Sequence, residues 1–251
     1  MLRYDTRRAF SFRWLYLGSF CIVILACISR LDVIREVWET VELLEPGWTM
    51  SFVIETLCGE ILLFILPVLS TLPFSSSFID EWKAGMTRQA VSRIEKRTYL
   101  RSKAIVTALS GGFILSVGSL CLLIVSMVVF LPIEQSVTDT VMDNKPVQSY
   151  IALFARYFVC GALWAETGLF FSTLFNHRFL AWLSPFMIYY LLIIFHERYF
   201  EWCFVLYPKE WLIPERQWGF DNWSICLWLL ALTALAGWGF IKVGERRLAS
   251  V

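Results

Sequence analysis

From Ala104 to Leu131 the chain runs AIVTALSGGFILSVGSLCLLIVSMVVFL, 28 residues without a charged side chain. As a helix this stretch reaches about 40 Å at 1.5 Å per residue, more than the roughly 30 Å of a bilayer's hydrocarbon core. Hydrocarbon offers no hydrogen bonds, so only structures that satisfy their own backbone can cross it. Five further apolar runs lie at about 12–28, 50–72, 149–175, 179–195 and 223–243. Apolar residues make up 58% of the 251 and charged ones 17%, where a soluble domain has nearer half and a quarter. No segment between the runs is long enough to fold beyond a helix or two. The sequence therefore predicts an all-α polytopic membrane protein, with residues 1–251 forming one transmembrane domain of six helices.

Six spans put both termini on one side, and the basic residues choose it, because Lys and Arg are retained in the cytoplasm. With the N-terminus inside, the inner segments carry fifteen of the 22 Lys and Arg and five of the 21 acids. The outer segments carry six basic residues and thirteen acids. The N- and C-termini are expected to be cytoplasmic.

Seven cysteines, Cys21, Cys27, Cys58, Cys121, Cys160, Cys203 and Cys226, contain no C-x-x-C pair and fall mostly within apolar runs. They read as small hydrophobes, neither disulfide frame nor zinc site. Arg7-Arg8-Ala9-Phe10 and Ile24-Leu25-Ala26-Cys27 are short, imperfect matches to twin-arginine and lipoprotein signals. The first span is needed to keep the charge pattern in step, so the basic residues from Arg3 to Arg13 read as an interfacial lead-in. His196-Glu197 begins like a zinc-protease motif, but Phe200 stands where the second histidine is required. No metal, cofactor or catalytic residues are expected on the chain, and no nucleic-acid partner.

Glu55, Glu60, Arg156 and Glu166 interrupt apolar runs. Charges at such positions are costly and usually face the bundle interior, often in pairs. On straight helices entering from outside, Glu55 lies about 8 Å deep, Glu60 about 15 Å, Arg156 about 10 Å and Glu166 about 25 Å. Depth predicts a contact between Arg156 and Glu55 or Glu60, serving either to lock two helices or to line a path. Gly161, Ala165, Gly168 and Ser172 form a small-residue stripe suited to close helix packing.

Between the second and third spans lies SSSFIDEWKAGMTRQAVSRIEKRTYLRSK, residues 75–103, with seven basic and three acidic residues. Ser77 with Asp80 forms a plausible helix N-terminus. Phe78, Ile79, Trp82 and Met86 then fall near one face, with Glu81, Lys83 and Arg88 away from it. Read alone, this is an amphipathic helix that anchors to anionic lipid.

The order of residues in this loop also resembles the cytoplasmic loop of permease subunits of type-two ABC exporters. Those loops carry E-x-x-x-G, then a Ser-Arg or similar basic turn, then a Lys opening the next span. Glu81 and Gly85 match the first part, Ser92-Arg93 or Arg97-Thr98 the second, and Lys103 the third. The Thr-Pro often found before the Ser-Arg is missing. The basic lead-in, six spans and irregular outer segment before the last span match the same plan.

The resemblance implies that the loop contains a coupling helix seated on a separate ATPase subunit, with Phe78, Glu81, Trp82, Gly85, Met86, Arg88 and Arg93 as docking residues. It implies a second permease subunit, either another copy or a relative, in a bacterial cell membrane. ATP and Mg would sit on the partner, which fits the absence of a G-x-x-x-x-G-K-[ST] phosphate loop here. The alternative is a small multi-span immunity or accessory protein acting by interaction, without an ATPase.

Two outer stretches complete the pattern. His196–Trp223, rich in Trp and Tyr and broken by Pro208 and Pro214, predicts a short helix or partly re-entrant hairpin at the membrane interface. The stretch after the first span predicts a surface helix with Glu36, Glu39 and Glu42 facing water.

Overall fold

A computed structural model describes residues 2–11, 13–40, 43–135, 145–214, 216, 218–219 and 221–249. The described residues are mostly helical, and the only β pairing among them is an isolated bridge between Leu44 and Glu134. Among the described residues twelve α-helices follow one another: α1 (Leu2–Ser11), α2 (Arg13–Ser29), α3 (Leu31–Thr40), α4 (Trp48–Leu57), α5 (Glu60–Thr71), α6 (Ser77–Lys83), α7 (Met86–Val91), α8 (Lys96–Phe130), α9 (Lys145–Phe175), α10 (Leu180–Arg198), α11 (Pro208–Leu212) and α12 (Asp221–Ala249). Among the described residues, α8, α9, α10 and α12 are each long and apolar enough to cross a membrane alone.

The expected first span is α2, which joins α3, the expected surface helix, through a sharp bend, and the expected second span is itself a bent pair. α2 meets α3 at 59°, and α4 meets α5 at 61°. Six spans result when each bent pair counts as one. The straight second span over 50–72 is thus replaced by two helices, with the break at Cys58 and Gly59. Gly59 is extended, at φ −63° and ψ 141°, so the helical ladder stops there. The carbonyl of Leu57, at the end of α4, accepts a hydrogen bond from the Tyr157 hydroxyl of α9, replacing an intrahelical partner lost at the break.

α9 is the central post. It packs against α4, α5, α8, α10, α11 and α12, and the small-residue stripe explains how. Where α8 and α9 cross, a Cβ on Gly161 would stand 2.4 Å from the Gly111 carbonyl oxygen, and one on Gly111 would stand 2.6 Å from the Gly161 oxygen. The two backbones therefore touch, the arrangement small residues permit in membranes.

The outer segments fold as short pieces. α11 places Trp211 against Trp164 at a ring separation of 5.9 Å, with its indole N–H donating to the Val205 carbonyl at 2.8 Å. Glu36 and Glu39 are exposed on α3, and Glu42 lies outside the described residues.

Candidate functional site

Three helices each contribute residues at the i, i+3, i+4 spacing that shares one helical face. α1 supplies Asp5, Arg8 and Ala9; α6 supplies Phe78, Glu81 and Trp82; α8 supplies Tyr99, Ser102 and Lys103. The three faces meet at one end of the bundle. Lys103 Nζ donates to Asp5 Oδ1 at 2.9 Å and to Glu81 Oε1 at 2.6 Å. An Arg8 guanidinium nitrogen donates to the same Glu81 oxygen at 2.7 Å. Tyr99 Oη donates to Glu81 Oε2 at 2.6 Å, and Ser102 Oγ to Asp5 Oδ2 at 2.8 Å. The Lys103 ammonium also lies 4.8 Å from the centre of the Phe74 ring.

Asp5 and Lys103 are fully buried, and Glu81 nearly so. Burying ions is expensive, and the cost is offset only when geometry is good and spare donors and acceptors are filled. Here two carboxylates face two cations, and each carboxylate also accepts from a hydroxyl. Phe78, 0% exposed, packs edge-on against Phe240 of α12 at 5.3 Å. Ser75, just before α6, donates to the Ala165 carbonyl of α9 at 3.1 Å. One short helix is thus joined to α1, α8, α9 and α12.

Several expectations about this loop are corrected by these contacts. Glu81 faces inward, because Lys103 and Tyr99 supply the partners that water would otherwise give. Phe78 belongs to the protein's own core and offers no surface for docking. Ser76, not Ser77, stands at the N-cap, with its hydroxyl 2.9 Å from Asp80 Oδ2. Helix α8 begins at Lys96, two turns before Lys103.

What α6 leaves outside is an edge. Lys83, Ala84, Gly85 and Met86 are exposed, Trp82 is half-buried, and Arg93 is exposed on the turn after α7. Gly85 has φ +73°, the left-handed conformation that ends α6 and starts α7. The backbone of Arg88 lies in α7, and its side chain is outside the description. Arg97 pairs with Glu245 at 2.7 Å, and Lys96 Nζ donates to the Leu248 carbonyl at 2.9 Å, so the end of α12 is tied to the same region.

The charges expected to meet within the membrane do not. Glu55 pairs with Arg30 at 3.7 Å and Glu60 with Lys209 at 3.6 Å. The break at Cys58 and Gly59 separates the two glutamates onto different helices and leaves both exposed, so neither meets Arg156. Arg156 donates from Nε to the Ala152 carbonyl of its own helix at 3.3 Å, and one of its terminal nitrogens is buried without a partner. Glu166 is 2% exposed, with both carboxylate oxygens unpartnered beside Gly237 of α12.

The Asp5–Lys103–Glu81 joint escapes a reading based on hydropathy, because Lys103 and Glu81 look like residues of a solvated basic loop. The available signal is the repeated i, i+3, i+4 grouping of charged with apolar or aromatic residues on three helices. No protein-family model matches the chain, and no curated protein matches it.

Proposed function

We propose that this chain is the membrane-spanning subunit of an ATP-driven exporter of the type-two ABC class. In this reading it is a six-span chain in a bacterial cell membrane, with both termini in the cytoplasm. It would pair with a second permease subunit, and separate ATPase subunits would bind and hydrolyse ATP with Mg. The observation that carries the reading is α6, a short helix held by a buried ionic joint and a core phenylalanine while its Lys83–Met86 edge stays exposed. A surface helix that only rests on lipid has no need of such a joint. A helix that passes force needs one, because a rigid coupling moves its neighbours as bodies.

The division of labour within α6 differs from the one the sequence resemblance implies. Trp82, Lys83, Gly85, Met86 and Arg93 form the docking edge. Phe78 and Glu81 belong to the transmission: Glu81 to α1 and α8, Phe78 to α12. ATP binding on the partner would favour one arrangement of these helices and hydrolysis would reset it. Net transport requires the cargo to bind the two arrangements with different affinity.

The inward turn of Phe78 and Glu81 also favours a second reading, in which α6 is a plug within an accessory membrane protein that acts by interaction alone. Purification of the tagged chain from its host in mild detergent separates the two. The exporter reading expects an ATP-binding subunit in near-equal amount, lost in the Lys83→Glu, Met86→Glu double variant while the chain stays folded. A chain that emerges alone, folded and without ATPase activity, overturns it.

A further inference from the structure

Beside the ionic joint, at the same end of the bundle, lies a cavity of about 200 Å³. It is bounded by the corner between α5 and α6, by Arg8 of α1, and by the start of α10. Two of its lining residues carry hydrogen-bonding groups that nothing satisfies. Ser77 is 6% exposed and its hydroxyl has no partner. The indole N–H of Trp182 is buried and also has none. A buried donor left without an acceptor costs about 1–3 kcal/mol, so two at one cavity mark a place where an acceptor belongs.

The charged lining favours an anion. Arg8 and Arg178 contribute two guanidinium groups and Asp80 one carboxylate. Asp80 is already engaged, by the Ser76 hydroxyl at 2.9 Å and by Arg178 at 3.6 Å. Arg8 is held by Glu81, and Arg178 stacks over the Trp182 ring at 5.5 Å. The volume is below the roughly 300–1,000 Å³ of sites that enclose a whole small molecule, and suits a single polar group. The position is where α5 ends and α10 begins, which is headgroup depth if these two helices cross a bilayer. Basic pockets between spans at that depth hold lipid phosphates.

We propose that this cavity binds a phosphate group, carried by an anionic lipid headgroup or present as inorganic phosphate. Its oxygens accept from the Ser77 hydroxyl, the Trp182 indole N–H and the Arg178 guanidinium. Four parts of the chain converge on the site, so an occupied cavity ties the N-terminal helix and α6 to α10. The proposal stands whether or not an ATPase partner exists, because it concerns only this chain in its membrane.

The test uses the full chain, delipidated in mild detergent and examined by native mass spectrometry. The probes are dioctanoylphosphatidylglycerol, dioctanoylglycerol as its headgroup-free control, and inorganic phosphate. The expected result is one bound phosphatidylglycerol or one bound phosphate, with dioctanoylglycerol retained far less. Trp182→Phe keeps the ring and removes the N–H, and Ser77→Ala removes the hydroxyl; each should weaken binding about tenfold, the size of one hydrogen bond to a charged acceptor. Phosphatidylglycerol that millimolar phosphate does not displace assigns the site to lipid. Displacement, with phosphate binding equally well alone, assigns it to the free anion. Binding of neither probe by the unaltered chain, or binding that both variants leave unchanged, means that water fills the cavity, and overturns the proposal.

Discussion

Two sets of buried charges sit in this chain under opposite conditions. At one end, Asp5, Glu81, Lys103 and Arg8 are packed at 2.6–2.9 Å with both signs balanced. In the body of α9, Arg156 and Glu166 are buried with polar atoms that have no partner, and they do not reach each other. The first set comes from charged segments at the edges of apolar runs, the second from isolated charges inside one. The first set assembles because α1 and α6 lie across the end of α8. The second does not, because ten residues on one helix place the two side chains about 15 Å apart. Burial alone therefore says little about a charge; the geometry of what packs against it decides whether it is a fastener or a strained group held for use.

The largest effect is expected from Lys103→Met. It leaves the Asp5 carboxylate buried with only Ser102 as a donor, and should cost about 3–5 kcal/mol, read as a lowered midpoint in detergent-mixture unfolding. A loss below about 1 kcal/mol would show that the joint is open to water. The double variant Asp5→Asn, Lys103→Met should recover part of the loss, with a coupling of about 1–3 kcal/mol; strict additivity would deny a direct pair.

Arg156→Met and Glu166→Gln sharpen the other side of the comparison. Removal of a buried group that has no ionic partner should leave stability within about 1 kcal/mol or raise it. A loss above about 2 kcal/mol in Arg156→Met would reveal a partner supplied from outside this chain. The smallest effect belongs to the exposed Arg35–Glu39 pair on α3, where Glu39→Gln should cost no more than about 0.5 kcal/mol. This sets the baseline against which the buried sets are judged.

Much of the architecture is legible in the order of residues. The four long helices follow from apolar run length, the close α8–α9 contact uses Gly161 and Ala165 of the small-residue stripe, and Gly168 of the same stripe lets α10 approach. The aromatic outer segment is readable as broken short helices because Pro208 and Pro214 interrupt it. The site was only half legible. Residues 77–86 read as an amphipathic helix, but the pattern alone implies water on one side and lipid or a partner on the other. In fact α1 and α8 cover the face that carries Glu81, and α12 covers Phe78. Arg156 lacks Glu55 and Glu60 for a related reason: a straight helix would bring them to its depth, and the chain breaks at Gly59.

What the sequence by itself determined is the solvent. Runs of 17 to 28 apolar residues force helices in a bilayer, because backbone groups in hydrocarbon must find partners within the segment. What only the tertiary structure decided is which charges meet. That depends on the 59° and 61° bends and on three helix faces converging at one end. Coulomb attraction and hydrogen bonding act over a few ångströms between groups up to 152 positions apart in the chain, a distance relation that no local pattern of residues encodes.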